Sequence, residues 1–238
     1  MTEPVKIERV LGIFAHPDDP EFFAGASFAR WAARGAEVTF VVATNGDKGS
    51  ADPEMTGPRL AAIREEEEKA AAAALGVREV IFLRNPDGEL TPNTQLRRDL
   101  VRIIRMKKPD IVVTCDPTVY WYETRGINHP DHRAIGAATL EAVFPIARDR
   151  LNYPELEFDE GLAVHKTPLV YISGAAEPTV RIDVTDYVDA KVASLRHHVS
   201  QIADMEAMAA RVRDRMRDPE APDDEIRYIE RFRVIRLA

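Results

Sequence analysis

Short apolar runs alternate with longer stretches of helical periodicity through the first 150 residues. The apolar runs, rich in Val, Ile and Phe, predict buried strands at residues 8–14, 38–43, 80–83 and 110–115. The intervening stretches predict helices at 21–34, 58–75, 93–106 and 132–149, with Pro145 interrupting the last one. Strands that alternate with helices form βαβ units, so we predict an α/β fold with a Rossmann-like, mostly parallel sheet flanked by helices.

The pattern changes after residue 150. Short strands are predicted at 169–172, 179–182 and 228–235, and a helical region spans 186–216 with a break near Ser200. No linker, repeat or low-complexity segment separates this region from the preceding one. We therefore expect a single domain over residues 1–238, with a core at about 8–150 and a C-terminal elaboration at about 151–238.

Composition narrows the class of protein. The 238 residues are 45% hydrophobic and 30% charged, with a formal net charge of −8. This balance is ordinary for a globular protein and disfavours nucleic acid or an anionic membrane as a partner. The one cysteine, Cys115, excludes an intramolecular disulfide, and its apolar surroundings predict a buried thiol. Neither an apolar leader nor a membrane-spanning run is recognisable, so we expect a cytoplasmic enzyme.

The end of the first predicted strand carries a chemically distinctive stretch, Ala15-His16-Pro17-Asp18-Asp19-Pro20-Glu21. A histidine and two adjacent carboxylates follow a strand, at the edge where open α/β sheets bind ligands. Histidine with aspartate suits a zinc-like divalent metal. Because neighbouring side chains diverge, Asp18 and Asp19 can have different roles. A capped helix start would account for the acids but not for His16.

A second histidine motif, Asn128-His129-Pro130-Asp131-His132, follows the fourth predicted strand. Two histidines three residues apart, with an acid between them, are typical of metal ligands. A lone histidine is more often structural, but three of the six histidines fall in two motifs that both follow strands of one predicted sheet. We therefore expect the two motifs to meet at one edge of the sheet.

Other polar residues have less specific expectations. Glu21 is expected to support the helix start, and the run Glu65–Glu68 to form a solvated helix face. Asp87 and Asp116 end strands at the same edge, so each could either face the pocket or stabilise a turn. Of the remaining three histidines, His197 and His198 are expected to be structural or surface residues, and His165 is expected to lie at the surface.

The motifs resemble those of the zinc-dependent de-N-acetylases of the LmbE/PIG-L type. The resemblance rests first on the stretch from His16 to Glu21, followed by Gly25, and on His129-Pro130-Asp131-His132. It extends over most of the chain through further matching positions: Thr44–Gly49, Arg64, Glu67, Ala71, Leu75–Gly76, Asp87–Gly88, Lys191, His198, Ser200 and Gln201.

The resemblance implies a metal and a reaction. By position, the ligands of one zinc per chain are His16, Asp19 and His132, which leaves one coordination position open, as catalytic zinc sites require. The implied reaction is hydrolysis of the N-acetyl group of an N-acetylglucosamine-like sugar or glycoconjugate, giving free amine and acetate. The residues leave open whether zinc or iron is used in vivo, what is attached to the sugar, and whether the chain forms a homo-oligomer.

The resemblance also implies roles in catalysis. Asp18 matches the general base, and His129 matches a second catalytic histidine. Asp131 would orient His129, and a histidine held by a carboxylate is expected to have a raised pKa. Arg64 is carried over as a substrate-binding residue, and His198 as a residue that packs near the site without binding zinc.

One departure from the family concerns the acetyl carbonyl. Some members carry a tyrosine two residues before His129, where this chain has Ile127. Tyr120, Trp121 and Tyr122 lie nearby, but no spacing rule assigns any of them to that role.

Two alternative functions remain: a zinc amidase acting on another N-acyl group, such as an acylated glycoside or a thiol conjugate, and a catalytically silent metal-binding protein. A nucleotide-binding module is disfavoured, because the first loop lacks Gly-x-Gly-x-x-Gly and carries carboxylates.

Overall fold

The computed structural model describes residues 6–122, 126–222 and 224–237. Its strands are β1 (Arg9–Phe14), β2 (Glu37–Thr44), β3 (Glu79–Asn85), β4 (Ile111–Cys115), β5 (Trp121–Tyr122), β6 (Gly126–Ile127), β7 (Leu169–Ser173), β8 (Val180–Asp183) and β9 (Ile229–Arg236). Its α-helices are α1 (Asp19–Ala33), α2 (Gly57–Ala74), α3 (Thr94–Lys107), α4 (Pro130–Val143), α5 (Pro154–Phe158), α6 (Val188–Leu195) and α7 (Met205–Met216). None of these described helices is long and apolar enough to span a membrane.

A seven-stranded sheet in the order β3-β2-β1-β4-β7-β9-β8 forms the centre of the molecule. The first five strands in this order pair in parallel, whereas β9 pairs antiparallel with both β7 and β8. The predicted mostly parallel α/β sheet is therefore confirmed. Strands from beyond residue 150 extend this sheet, and the two-stranded hairpin β5–β6 lies outside it.

The strand order places the two histidine motifs side by side. The chain proceeds from β1 outwards through β2 to β3, and then returns to the other side of β1 as β4. The first motif follows β1 and the second follows β4. Ligands bind at this kind of switch point in open α/β sheets, at the carboxyl ends of the strands.

Close packing of α4 on the end of β4 fixes the position of the second motif. A Cβ atom added to Gly136 would lie 2.4 Å from the carbonyl oxygen of Cys115, so only glycine permits this approach. Both strands beneath the site are apolar, and β4 is buried along its whole length. The buried thiol expected for Cys115 is confirmed.

The sequence predicted two helix interruptions that the structure confirms. The helix expected over 132–149 begins earlier and ends at Val143; a cis peptide bond joins Phe144 to Pro145, and a 3-10 turn follows at Ile146–Arg148. The helical region around Ser200 divides into α6 and α7. The surface role expected for His165 is wrong: its ring is half-buried, and its Nε2 lies 2.8 Å from the carbonyl oxygen of Pro109.

Candidate active site

The first motif forms the tight turn between β1 and α1. The His16 N–H donates to Asp19 Oδ2 at 2.9 Å, and the Asp19 N–H donates to the His16 carbonyl at 3.2 Å. Asp18 caps α1 with a φ of 105°, in the left-handed region that residues with a Cβ rarely adopt. Such a conformation persists only where surrounding contacts hold it.

Helix α4 brings the second motif to the same place. His132 lies in its first turn, with Nε2 3.1 Å from Asp19 Oδ1, while His16 Nδ1 lies 3.2 Å from Asp19 Oδ2. Donor atoms of the three side chains lie within 4.8 Å of one another. Ligand atoms bound tetrahedrally to one zinc at about 2.0–2.2 Å are roughly 3.3 Å apart. The geometry and the N, N, O donor set therefore fit a zinc-like metal.

The other ring nitrogen of each of these histidines faces an acceptor. His16 Nε2 is 3.1 Å from Asp87 Oδ1 and 3.3 Å from Asp131 Oδ2. His132 Nδ1 is 3.0 Å from Asn128 Oδ1. Metal-binding histidines usually donate their second N–H to such an acceptor, which fixes the tautomer and the ring orientation. His16 Nδ1 and His132 Nε2 are then free to bind a metal.

Asp131 has a different partner from the one expected. Its carboxylate accepts the backbone N–H groups of Gly88 at 2.7 Å and Leu90 at 3.1 Å, and it faces His16. Its nearest carboxylate oxygen is 4.0 Å from His129 Nδ1, beyond hydrogen-bond distance. The expectation that Asp131 orients the ring of His129 is therefore wrong, because residues at a helix start project in different directions.

His129 is held by backbone instead. It caps α4, and its Nδ1 accepts the Asp131 N–H at 3.2 Å, so the neutral ring carries its proton on Nε2. Burial lowers the pKa of His129. The raised pKa expected from the sequence is therefore wrong. Near neutral pH, His129 presents a neutral N–H donor.

The two carboxylates at strand ends have separate roles. Asp87 faces His16, as described, whereas Asp116 accepts the N–H and the hydroxyl of Thr118 at 2.7 and 2.6 Å and stabilises a turn.

Sequence reasoning overlooked Asn128, although it directly precedes His129. The Asn128 amide donates to a backbone carbonyl at 2.8 Å, which keeps its oxygen directed at the second motif.

Two residues one turn apart on α2 hold the Asp18 turn. Glu68 Oε2 accepts the Asp18 N–H at 2.9 Å. Arg64 donates to the carbonyl oxygens of Pro17 at 2.5 Å and Gly46 at 3.1 Å, and its Nη2 lies 3.3 Å from Asp18 Oδ2. The resemblance predicts substrate binding for Arg64. These contacts show that it positions the Asp18 turn. Arg64 also lines the small cavity beside the metal position.

The surroundings of Asp18 raise its proton affinity. Burial raises the pKa of this carboxyl to about 6; Arg64 opposes the shift, and the neighbouring Asp19 adds to it. A carboxyl with this pKa is ionised at neutral pH and is still basic enough to accept a proton during a reaction.

A buried cluster of three ionisable side chains lies behind this turn. His198 Nε2 is 3.5 Å from Glu21 Oε2 and 3.9 Å from Glu68 Oε2, and all three side chains are inaccessible to solvent. Burial raises the pKa of Glu21 to about 8 and that of Glu68 well above its ordinary value. The expectation of a solvated Glu65–Glu68 run is therefore wrong for Glu68, which lies one turn after Arg64 on the inward face of α2. His198 packs near the site, as the resemblance implies.

A cleft of about 590 Å³ opens on the metal position. Tyr122 lines it, and the hydroxyl of Tyr122 donates to Asn128 Oδ1 at 3.2 Å. Ile127, at the position of the family's tyrosine, lies at the cleft with 86% of its surface exposed. The other lining residues include metal-ligand candidates, aromatic rings and a cation: Asp19, His132, His129, Phe22, Phe23 and Arg215.

Known proteins share both the sequence and the fold. Residues 11–143 match the family model described as "PIG-L: GlcNAc-PI de-N-acetylase". Diacetylchitobiose deacetylase of Thermococcus kodakarensis is 33% identical over 195 residues, which cover 82% of this chain and 70% of that protein. A probable N-acetyl-α-D-glucosaminyl L-malate deacetylase 2 of Bacillus anthracis is 30% identical over 84% of each chain.

The structure of N,N'-diacetylchitobiose deacetylase from Pyrococcus horikoshii superposes with a TM-score of 0.86 at 31% identity. The superposition covers 97% of this chain and 85% of that one. Sequence, fold and the two histidine motifs agree, and the chain belongs to the PIG-L family of de-N-acetylases.

Proposed function

We propose that this chain is a zinc-dependent hydrolase that removes the N-acetyl group from an N-acetylglucosamine-like substrate, giving free amine and acetate. The observation that carries the proposal is the convergence of His16, Asp19 and His132 beside Asp18, in a cleft of a chain whose relatives are named as deacetylases of N-acetylated sugars.

His16 Nδ1, Asp19 and His132 Nε2 would hold the zinc. An overlapping group of donors shares His16 but includes Asp131, which already accepts two backbone N–H groups. We therefore assign the metal to the first set. When bound, zinc would act as a Lewis acid that favours attack of water on the acetyl carbonyl at neutral pH.

Asp18 is the proposed general base. It accepts a proton from the attacking water, and its pKa of about 6 allows it to be ionised beforehand and protonated afterwards. The amide nitrogen must then gain a proton, because an amide anion is a very poor leaving group. Protonated Asp18 is the acid available for that step, since the lowered pKa of His129 leaves its ring neutral.

His129 is the proposed hydrogen-bond donor to the acetyl oxygen. Its Nδ1 is occupied by a backbone N–H, so Nε2–H is the group free to donate. A preorganised donor of this kind stabilises the negative charge that develops on the carbonyl oxygen during attack.

The proposal is tested by acetate release from a panel of N-acetylated sugars, measured with the protein as purified, after chelation, and after zinc is restored. We expect acetate from the untreated protein, loss of activity on chelation, and recovery with about one zinc per chain. Full activity after verified metal removal would contradict the zinc assignment, and release of no acetate from any N-acetylated sugar would contradict the function.

A further inference from the structure

The cleft at the metal position adjoins a second cavity. This second cavity has a volume of about 510 Å³ and shares Phe22 and Arg215 with the first. Its lining includes four buried apolar side chains from the segment before α7 and from α7 itself: Ile202, Met208, Val212 and Met216. When the acetyl group and the sugar ring of the proposed substrate lie at the metal position, the second cavity is the adjoining space available to the group attached to the sugar.

Two arginines of α7 line this second cavity. Arg211 and Arg215 lie one helical turn apart, and Arg215 lines both cavities. Within the described part of the chain, neither guanidinium has an ion pair or a hydrogen bond. Arg213, on the same helix, does pair with Asp189 at 2.7 Å. Like charges one turn apart on a helix repel each other, and an anion lying between them would remove that repulsion.

The other charged groups at the second cavity are already partnered. Lys191 pairs with Glu230 at 2.7 Å and donates to the carbonyl oxygen of Phe22 at 2.8 Å. Asp204 accepts the Ala207 N–H at 2.9 Å as the cap of α7. Asp204 keeps its negative charge, but the two unpaired arginines outnumber it and leave the lining with a net positive charge.

The opposite end of the cleft is rich in carboxylates. Carboxylates surround the metal position: Asp18, Asp19, Asp87 and Asp131. The chain as a whole carries a formal net charge of −8. Arg64 and a bound zinc ion would offset much of the negative charge at the metal position, so the orientation of an anionic substrate rests on the two arginines at the far end.

We propose that the substrate carries, besides its N-acetylglucosamine-like unit, an anionic group that binds Arg215 and Arg211. The inference rests on the proposed deacetylase function and deepens it. A neutral substrate group that covered an unpaired guanidinium would displace the water bound to it and would not replace the hydrogen bonds that the water accepts. A carboxylate or a phosphodiester would replace them with paired, charge-assisted hydrogen bonds.

Three substrates test the inference by acetate release. Diacetylchitobiose is the neutral substrate, N-acetylglucosaminyl malate is the carboxylate, and N-acetylglucosaminyl glycerophosphoinositol is the phosphodiester. We expect kcat/KM on at least one anionic substrate to exceed that on diacetylchitobiose by about tenfold or more. The Arg215→Gln variant should lower the preferred anionic value by about 10- to 100-fold, mainly through KM. Arg215→Lys should restore part of this loss, because it keeps the charge without the paired hydrogen bonds.

Arg213→Gln is the matched control, because it removes a charge from the same helix at a residue that already has a partner. The inference is overturned if diacetylchitobiose is the best substrate, or if Arg215→Gln and Arg213→Gln change the anionic preference equally. Either result would leave the deacetylase function intact, because acetate is still released.

If no substrate releases acetate, the proposed deacetylase function is contradicted. Calorimetric titration of the same three compounds then still tests whether an anionic group binds here. Tighter binding of an anionic compound, lost in Arg215→Gln, supports the inference; equal binding overturns it.

Discussion

Glu68 holds the backbone of Asp18 through one carboxylate oxygen, which accepts the Asp18 N–H at 2.9 Å. This hydrogen bond joins the proposed base to the cluster formed with Glu21 and His198. It also stabilises a residue whose φ of 105° is unfavourable by itself. A helix outside the two histidine motifs therefore positions the side chain that would accept the proton.

We predict that Glu68→Gln retains most activity and that Glu68→Ala does not. The raised pKa of Glu68 favours its neutral form, which glutamine resembles, and the glutamine oxygen can still accept the Asp18 N–H. Alanine leaves that N–H without an acceptor, at a cost of about 1–3 kcal/mol where the group is buried. We expect kcat to fall about tenfold or more in Glu68→Ala, with zinc retained. Equal kcat in the two variants would contradict a positioning role.

Asn128 should contribute to metal affinity through His132. Removal of an acceptor that orients a metal-binding histidine typically weakens binding by about 10- to 100-fold. We expect a loss of this size in Asn128→Ala, measured by competition with a chelator. Asp116→Ala is the control, because Asp116 follows the same strand but its carboxylate accepts hydrogen bonds from Thr118 instead of facing a histidine of the site. Equal affinities in the two variants would argue against the assigned role.

His129→Ala should lower kcat and leave the zinc content unchanged. Loss of one donor to a developing oxyanion typically costs about 100- to 1,000-fold. If His129 only supported His132, zinc affinity would fall first. Elemental analysis beside kcat separates these cases, and loss of zinc with normal kcat in the zinc-saturated variant would refute the catalytic role.

The rate should depend on pH through Asp18. A base must be ionised to accept a proton, so activity is expected to fall as the pH drops through about 6 and to level off above it. The lowered pKa of His129 predicts no alkaline limb from loss of its proton. A kcat profile between pH 5 and 9 checks both statements, and a decline above pH 7 that disappears in His129→Ala would contradict the second.

The sequence predicted which residues meet but not all of their partners. The motifs that contain His16, Asp19 and His132 both follow strands of one predicted parallel sheet, so their meeting at one edge was foreseeable. The strand order that places β1 beside β4 was not predicted. Asp131 was assigned to His129 because the two are close in sequence, but a side chain at a helix start also meets residues distant in the chain, here Gly88 and Leu90.

The buried cluster was missed for a related reason. A run of glutamates usually forms a solvated face, and nothing local distinguishes Glu68 from its neighbours. Its burial follows from the packing of α2 against β3 and α6, which depends on tertiary structure. The position one turn after Arg64 was the available signal, because both residues then face the same side of the helix.

The central claim assigns different roles to two adjacent carboxylates: Asp19 binds zinc, and Asp18 moves the proton. Zinc content and acetate release from one N-acetylated substrate, measured together for Asp18→Asn and Asp19→Ala, test it most directly. We predict that Asp18→Asn keeps about one zinc per chain and loses about 100- to 10,000-fold in turnover, whereas Asp19→Ala loses both zinc and turnover. Full zinc in Asp19→Ala, or near wild-type turnover in Asp18→Asn, would contradict the account.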